Sequence, residues 1–228
     1  MAKSSDLDKN LSNLFEAERR VRDLHDEICS ADSNAVLDAV ARLLPGALAE
    51  SDELEAALRL DRLAMILGEL EGARAVDLLI DILASDLPEA RATAGEQLEG
   101  LAFDRFKEVA KGIERALTRL PLGSPALAEL PYVIAEVPEP GVSKLLEKFL
   151  GHDDPDAVAA AIEVGVELGD PGLLPLLEKL QDDERSVEMT DENDEAQEVT
   201  IGELATDALD ILAGDDDEEE PPSSGSRH

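Results

Sequence analysis

Apolar residues recur along this chain at intervals of three and four and almost never alternate, a period that predicts α-helices rather than strands. The first block places Leu7, Leu11, Leu14, Val21, Leu24 and Ile28 on one face of a helix over 7–29. From Ser33 the pattern becomes helix, short turn, helix. The periodicity predicts five such pairs: 34–49 with 52–70, 73–85 with 88–102, 104–120 with 125–137, 141–151 with 155–169, and 172–181 with 201–213. Start signals fall where these spans open. Asp52 with Glu55, Asp86 with Glu89, and Thr200 with Glu203 have capping-box spacing, in which both side chains satisfy free first-turn amides. Ser124-Pro125, Asp154-Pro155 and Asp170-Pro171 place a capping residue before a proline at the first helical position, where its missing N–H costs nothing.

The pairs also resemble one another. Lys144-Leu145-Leu146-Glu147-Lys148-Phe149 returns as Pro175-Leu176-Leu177-Glu178-Lys179-Leu180, each run preceded at three residues by a glycine, Gly141 or Gly172. A period of about 31 residues follows, with a weaker copy at Ala75-Val76 and Leu79-Ile80. Aligning the second helices by their ends puts Leu70, Leu101, Val137, Leu168 and Leu212 in one column and Leu63, Ala94, Leu130, Ala161 and Ala205 in another, two turns earlier. Both columns read as core through which neighbouring units close on each other.

Three segments stand apart from the repeat. Residues 1–32 are expected to form an N-terminal capping helix. Within the repeat region, 33–214, an acidic insertion at 182–199 interrupts the last pair. Its Val187-Glu188-Met189 and Glu198-Val199-Thr200 suit a small hairpin, and a disordered loop suits the same stretch equally. Residues 215–228, six consecutive carboxylates followed by Pro, Ser and Gly, are expected to be a disordered tail.

Two runs resemble the bacterial HEAT-like repeat of the phycobilisome-lyase type. They are Leu67-Gly68-Glu69-Leu70-Glu71-Gly72-Ala73-Arg74-Ala75-Val76 and Val166-Glu167-Leu168-Gly169-Asp170-Pro171-Gly172-Leu173-Leu174. Asp86-Leu87-Pro88-Glu89-Ala90-Arg91 and Asp153-Asp154-Pro155-Asp156-Ala157-Val158 are similar to the family's turn within a pair. Arg91 stands where the family often has an arginine, and Val158 occupies that place in the second of these two turns. The resemblance covers about 73–102 and 138–213. It implies an all-α, right-handed α-solenoid of about five HEAT-like helical hairpins, and it brings in cofactor-attachment lyases as an alternative function.

Charge narrows the partners. With 54 acidic and 20 basic residues the net charge is −34, which repels nucleic-acid phosphate and anionic lipid. The expected partner is a protein of basic character, with no nucleic acid and no membrane; the sequence sets no oligomeric state. Cys29 is the only cysteine, so an intramolecular disulfide is impossible. The absence of a leader-like or long apolar run predicts a cytoplasmic protein.

Little points to catalysis. His25, His152 and His228 lack metal-ligand spacing, and His25 with Cys29 makes at most two ligands on one helix face. No nucleophile elbow or phosphate loop occurs. The run Thr190 to Glu195 lacks the glycine and distal glutamate of a calcium loop. No enzyme, cofactor or metal is expected.

The alignment supplies candidate binding residues instead. Second helices line the concave face of HEAT-like stacks. The rows five residues and one residue before the leucine column then present Met65, Glu69, Glu96, Tyr132, Glu136, Glu163, Glu167 and Asp207. The expected function is a non-catalytic scaffold or adaptor whose acidic surface takes a basic or amphipathic segment. A polyanionic nucleic-acid mimic is the third reading.

Overall fold

The structure, a computed structural model of the chain, describes residues 2–190 and 196–214. The tail expected over 215–228 lies outside them, as does the centre of the acidic insertion. Ten α-helices, a short 3₁₀ turn and one two-stranded hairpin make up the described residues, so the fold class is all-α. The chain divides into two compact units, Met1–Gln97 and Leu98–His228.

The first unit opens with α1 (Ala2–Cys29), followed by α2 (Ser33–Leu48), α3 (Glu53–Gly68) and α4 (Ala73–Leu83). Asp32 caps α2 by accepting from the Ala35 amide at 2.9 Å. Asp52 caps α3 as its spacing predicts, one carboxylate oxygen accepting from Leu54 and Glu55 at 3.1 and 3.2 Å. Helix α3 packs against both α2 and α4, which also touch each other. The start of α5 (Pro88–Arg119) lies beside α3, where the Thr93 hydroxyl donates to Asp61 at 2.9 Å. First helices thus neighbour first helices, and second helices neighbour second helices.

Helix α1 forms where the apolar period puts it but covers little. From Asp6 to Ile28 only His25 is part-buried, and α1 packs only sparsely against α2 and α3.

A break inside α5 separates the second and third predicted pairs. Arg105 leaves helical geometry (φ −138°, ψ 47°), close to the boundary that the periodicity places between 102 and 104. Beyond it come α6 (Pro125–Ala135), α7 (Gly141–Leu150), α8 (Pro155–Glu167), the 3₁₀ turn Pro171–Leu173, α9 (Leu174–Leu180), β1 (Ser186–Thr190), β2 (Ala196–Thr200) and α10 (Ile201–Gly214). In this second unit α8 lies between α6 and α10, while α7 packs on α8 and α9 on α10. This side-by-side order of successive hairpins is that of an α-solenoid. Lys148 of α7 reaches Glu114 of α5 at 2.8 Å, joining the first-helix row.

The repeat turns are fastened by one buried carboxylate. Asp154, fully buried, accepts from Ala157 N at 3.1 Å as the cap of α8. Its other oxygen accepts from the amide of Gly123, 31 residues back, where the chain turns with a positive φ of 80° that glycine adopts readily. His152 completes the turn, accepting from the Asp154 amide through Nδ1 at 3.1 Å while Nε2 meets the Leu117 carbonyl at 2.9 Å. With Nδ1 accepting, the proton resides on Nε2 and donates to that carbonyl. His152 is thus part of the joint between turns.

The core follows the predicted columns with two corrections. Leu70, Leu101, Val137 and Leu212 are buried, as are Ala94, Leu130, Ala161 and Ala205. Leu168 instead keeps 43% of its surface exposed, because α8 ends at Glu167 and the chain turns away through Gly169 at φ 59°. Leu63 is only part-buried; the core line of α3 runs through Leu60, Ala64 and Leu67, one residue out of the predicted register.

Candidate binding groove

The acidic insertion folds back as an antiparallel hairpin, with Val187 opposite Val199 and Glu188 opposite Glu198. Its register follows from Val187, the one strand residue buried among those described, which turns inward. Arg185 anchors the hairpin to the preceding turn. It donates to the carbonyls of His152 and Asp153 at 2.9 Å and to both oxygens of Asp183. The hydrogen bond from Arg185 holds the Asp183 carboxyl below the ordinary carboxylate range, outweighing the effect of burial. At the other end, Thr200 and Glu203 form the predicted capping box: the Thr200 amide donates to Glu203 at 2.9 Å and the Glu203 amide to the Thr200 hydroxyl at 3.1 Å.

With β1 against α8, the second-helix row becomes a groove of about 480 Å³. Alanines at 128, 159, 160 and 208 keep it open, and Ile162, Val166, Ile211 and Met189 add larger apolar surface. Five carboxylates line it: Asp156, Glu163, Glu167, Glu188 and Asp207. No lysine or arginine is among the lining residues.

Tyr132 carries the polar chemistry of the groove. Its ring is 42% exposed and its hydroxyl donates to Glu163 at 2.5 Å, across the same 31-residue step that separates Asp154 from Gly123. Equivalent positions on neighbouring second helices are thus brought into contact, as the alignment of repeats requires. Burial, the hydrogen bond to Glu163, and the charges of Glu163 and Glu167 push the Tyr132 phenol well above the ordinary tyrosine range. The phenol therefore stays a neutral donor throughout physiological pH. Burial and then the charge of Asp154 also raise Asp156.

Of the eight candidate residues, the structure brings four together here: Tyr132, Glu163, Glu167 and Asp207. Glu136 is exposed as the C-cap of α6 and does not line the groove. Met65, Glu69 and Glu96 belong to the first unit, where all three are exposed. Met65 there accepts from the Arg62 guanidinium at 3.7 Å, and Glu69 ends α3 close enough to Cys29 to influence its thiol. Sequence reasoning missed the β1 wall, Glu188 and Met189, and the groove-lining Asp156. The only available signal for the wall was the strand-like run 186–190, which a disordered loop explains as well.

Cys29 Sγ lies 3.6 Å from His25 Nε2, and burial followed by the charges of Glu69 and Asp26 raises the thiol above its ordinary value. That is the reverse of an activated nucleophile. Among the described residues no group of three or more His, Cys, Asp or Glu is arranged to hold a metal ion. No described helix is long and apolar enough to cross a membrane.

No family model and no curated protein matches the chain. Among solved structures it is similar to an engineered protein from the Northeast Structural Genomics Consortium, at 21% identity and a TM-score of 0.35, covering 85% of this chain and 89% of that one. It is also similar to computationally designed armadillo repeat proteins for modular peptide recognition, at 18% identity and a TM-score of 0.30, covering 86% of this chain and 93% of that one.

Proposed function

We propose that this protein is a non-catalytic interaction scaffold whose second unit binds a basic, amphipathic helix or peptide in the groove between the second-helix row and β1. The observation that supports this reading most directly is the combination of an apolar, alanine-opened lining with five carboxylates and no basic side chain. An amphipathic segment meets both requirements at once: its apolar face fills the space beside Val166 and Ile211, while its lysines or arginines pair with Glu163, Glu167 and Asp207. Tyr132 supplies an amphipathic anchor of the type enriched where binding energy concentrates. The kinship with bacterial HEAT-like repeats belongs to this proposal and rests on the Asp-Pro turns, of which Asp154-Pro155 is the fastened example.

The test is titration of a lysine-rich amphipathic peptide into the wild-type chain and into Glu163→Lys with Asp207→Lys. Binding weakens by roughly 100-fold or more in the double variant, on the scale of about 1.5 kcal/mol for each reversed close charge pair. Helicity is unchanged, since both side chains are exposed. Equal affinity in the two proteins would remove the groove from the function.

A further inference from the structure

We propose that α1 is a self-association element, pairing antiparallel with α1 of a second copy of this chain. Helix α1 is 28 residues long, yet Leu7, Leu11, Leu14, Phe15, Val21 and Leu24 keep between 36% and 61% of their surface exposed. A helix with so few tertiary contacts gains little of the packing that normally stabilises helices in proteins. Its exposed stripe is also ordered in a particular way. Leu7, Leu11, Leu14, Glu18 and Val21 follow each other at alternating steps of four and three, the seam of a two-stranded coiled coil with one polar position.

Charge indicates which partner covers the stripe. The helix holds five of the chain's 20 basic residues and only seven of its 54 acidic ones, so it is close to neutral on a molecule of net charge −34. Its own net charge, five minus seven, is −2, so two copies of the stripe meet with little like-charge repulsion and the stripe selects no strongly charged partner. Charge also selects the orientation. The acidic remainder of each chain follows from the C-terminal end of α1, and in a parallel pair the two bodies and the two Glu18 carboxylates lie side by side. Antiparallel pairing puts the two C-terminal ends of α1, where the rest of each chain begins, about 40 Å apart, several times the screening length at physiological salt. The six large apolar side chains of each copy offer roughly 1,000 Å² between them, at the lower edge of a specific interface. A weak, concentration-dependent dimer follows.

Sedimentation equilibrium of the full chain tests this. Wild type associates to a dimer as concentration approaches about 100 µM. Added salt strengthens the association, because it screens repulsion between the bodies and leaves apolar burial intact. Leu11→Glu with Leu14→Glu stays monomeric with an unchanged unfolding transition of the body, and Glu16→Ala dimerises like wild type. A wild-type monomer at about 100 µM in about 0.5 M salt would overturn the proposal. So would a dimer that survives Leu11→Glu with Leu14→Glu but is lost in Glu163→Lys with Asp207→Lys, which would assign the contact to the groove. Ready formation of an interchain Cys29 disulfide would overturn the antiparallel arrangement.

Discussion

Single residues decide how consecutive turns hold together. Asp154 caps α8 and fixes the Gly123 amide from the preceding turn, so its removal orphans two donors beside a fully buried site. Asp154→Ala is expected to destabilise the second unit by about 3 kcal/mol, read from the midpoint of urea unfolding, with Asp154→Asn losing less. Gly202 is a second such position. It is buried, and a Cβ there would stand 2.5 Å from the backbone carbonyl of Gln181, which cannot rotate aside. Gly202→Ala should cost about 2 kcal/mol by the same measurement. Asp154-Pro155 was readable as a helix start, because capping chemistry is local. The partner of its second oxygen was not, since only three-dimensional stacking brings a residue 31 positions away into reach.

At the level of elements, the apolar period located the helices, and capping residues marked the starts of α3, α8 and α10, whose caps form as the spacing predicts. The hairpin was ambiguous for a matching physical reason: five-residue strands with one buried side chain carry too little pattern to separate from a solvated loop. What fixes it is Arg185, a charged residue whose partners lie on the previous turn. Because Asp183 titrates below its ordinary range when folded, the pair contributes its stabilisation above the unfolded Asp value of about 3.9. That contribution is lost as pH falls through the lower folded value. Amide exchange at Val187 should accordingly gain an opening component in acid beyond the intrinsic pH dependence, and Asp183→Asn should show it at neutral pH. Unaltered protection of Val187 in that variant would place the anchor elsewhere. Leu168 illustrates the opposite failure of periodicity, which continued past the point where Gly169 turns the chain.

Across the whole molecule, a net charge of −34 excludes many partners but cannot by itself locate a surface, since carboxylates fall on nearly every exposed face. The aligned rows were legible as exposed, and the structure keeps all eight candidates at the surface while gathering only Tyr132, Glu163, Glu167 and Asp207 into one groove. The packing of α8 between α6 and α10 gathers these four, and β1, which the rows do not contain, adds a further wall. Tyr132 makes this arrangement directly measurable, because it is the chain's only tyrosine and there is no tryptophan. The decisive experiment is therefore a fluorescence titration of the full chain with a lysine-rich amphipathic peptide that contains neither residue. A saturable change in Tyr132 emission, weakening as salt rises and absent in Glu163→Lys with Asp207→Lys, is the predicted result. Binding of the peptide with Tyr132 emission unmoved would contradict the assignment of the groove as the recognition surface.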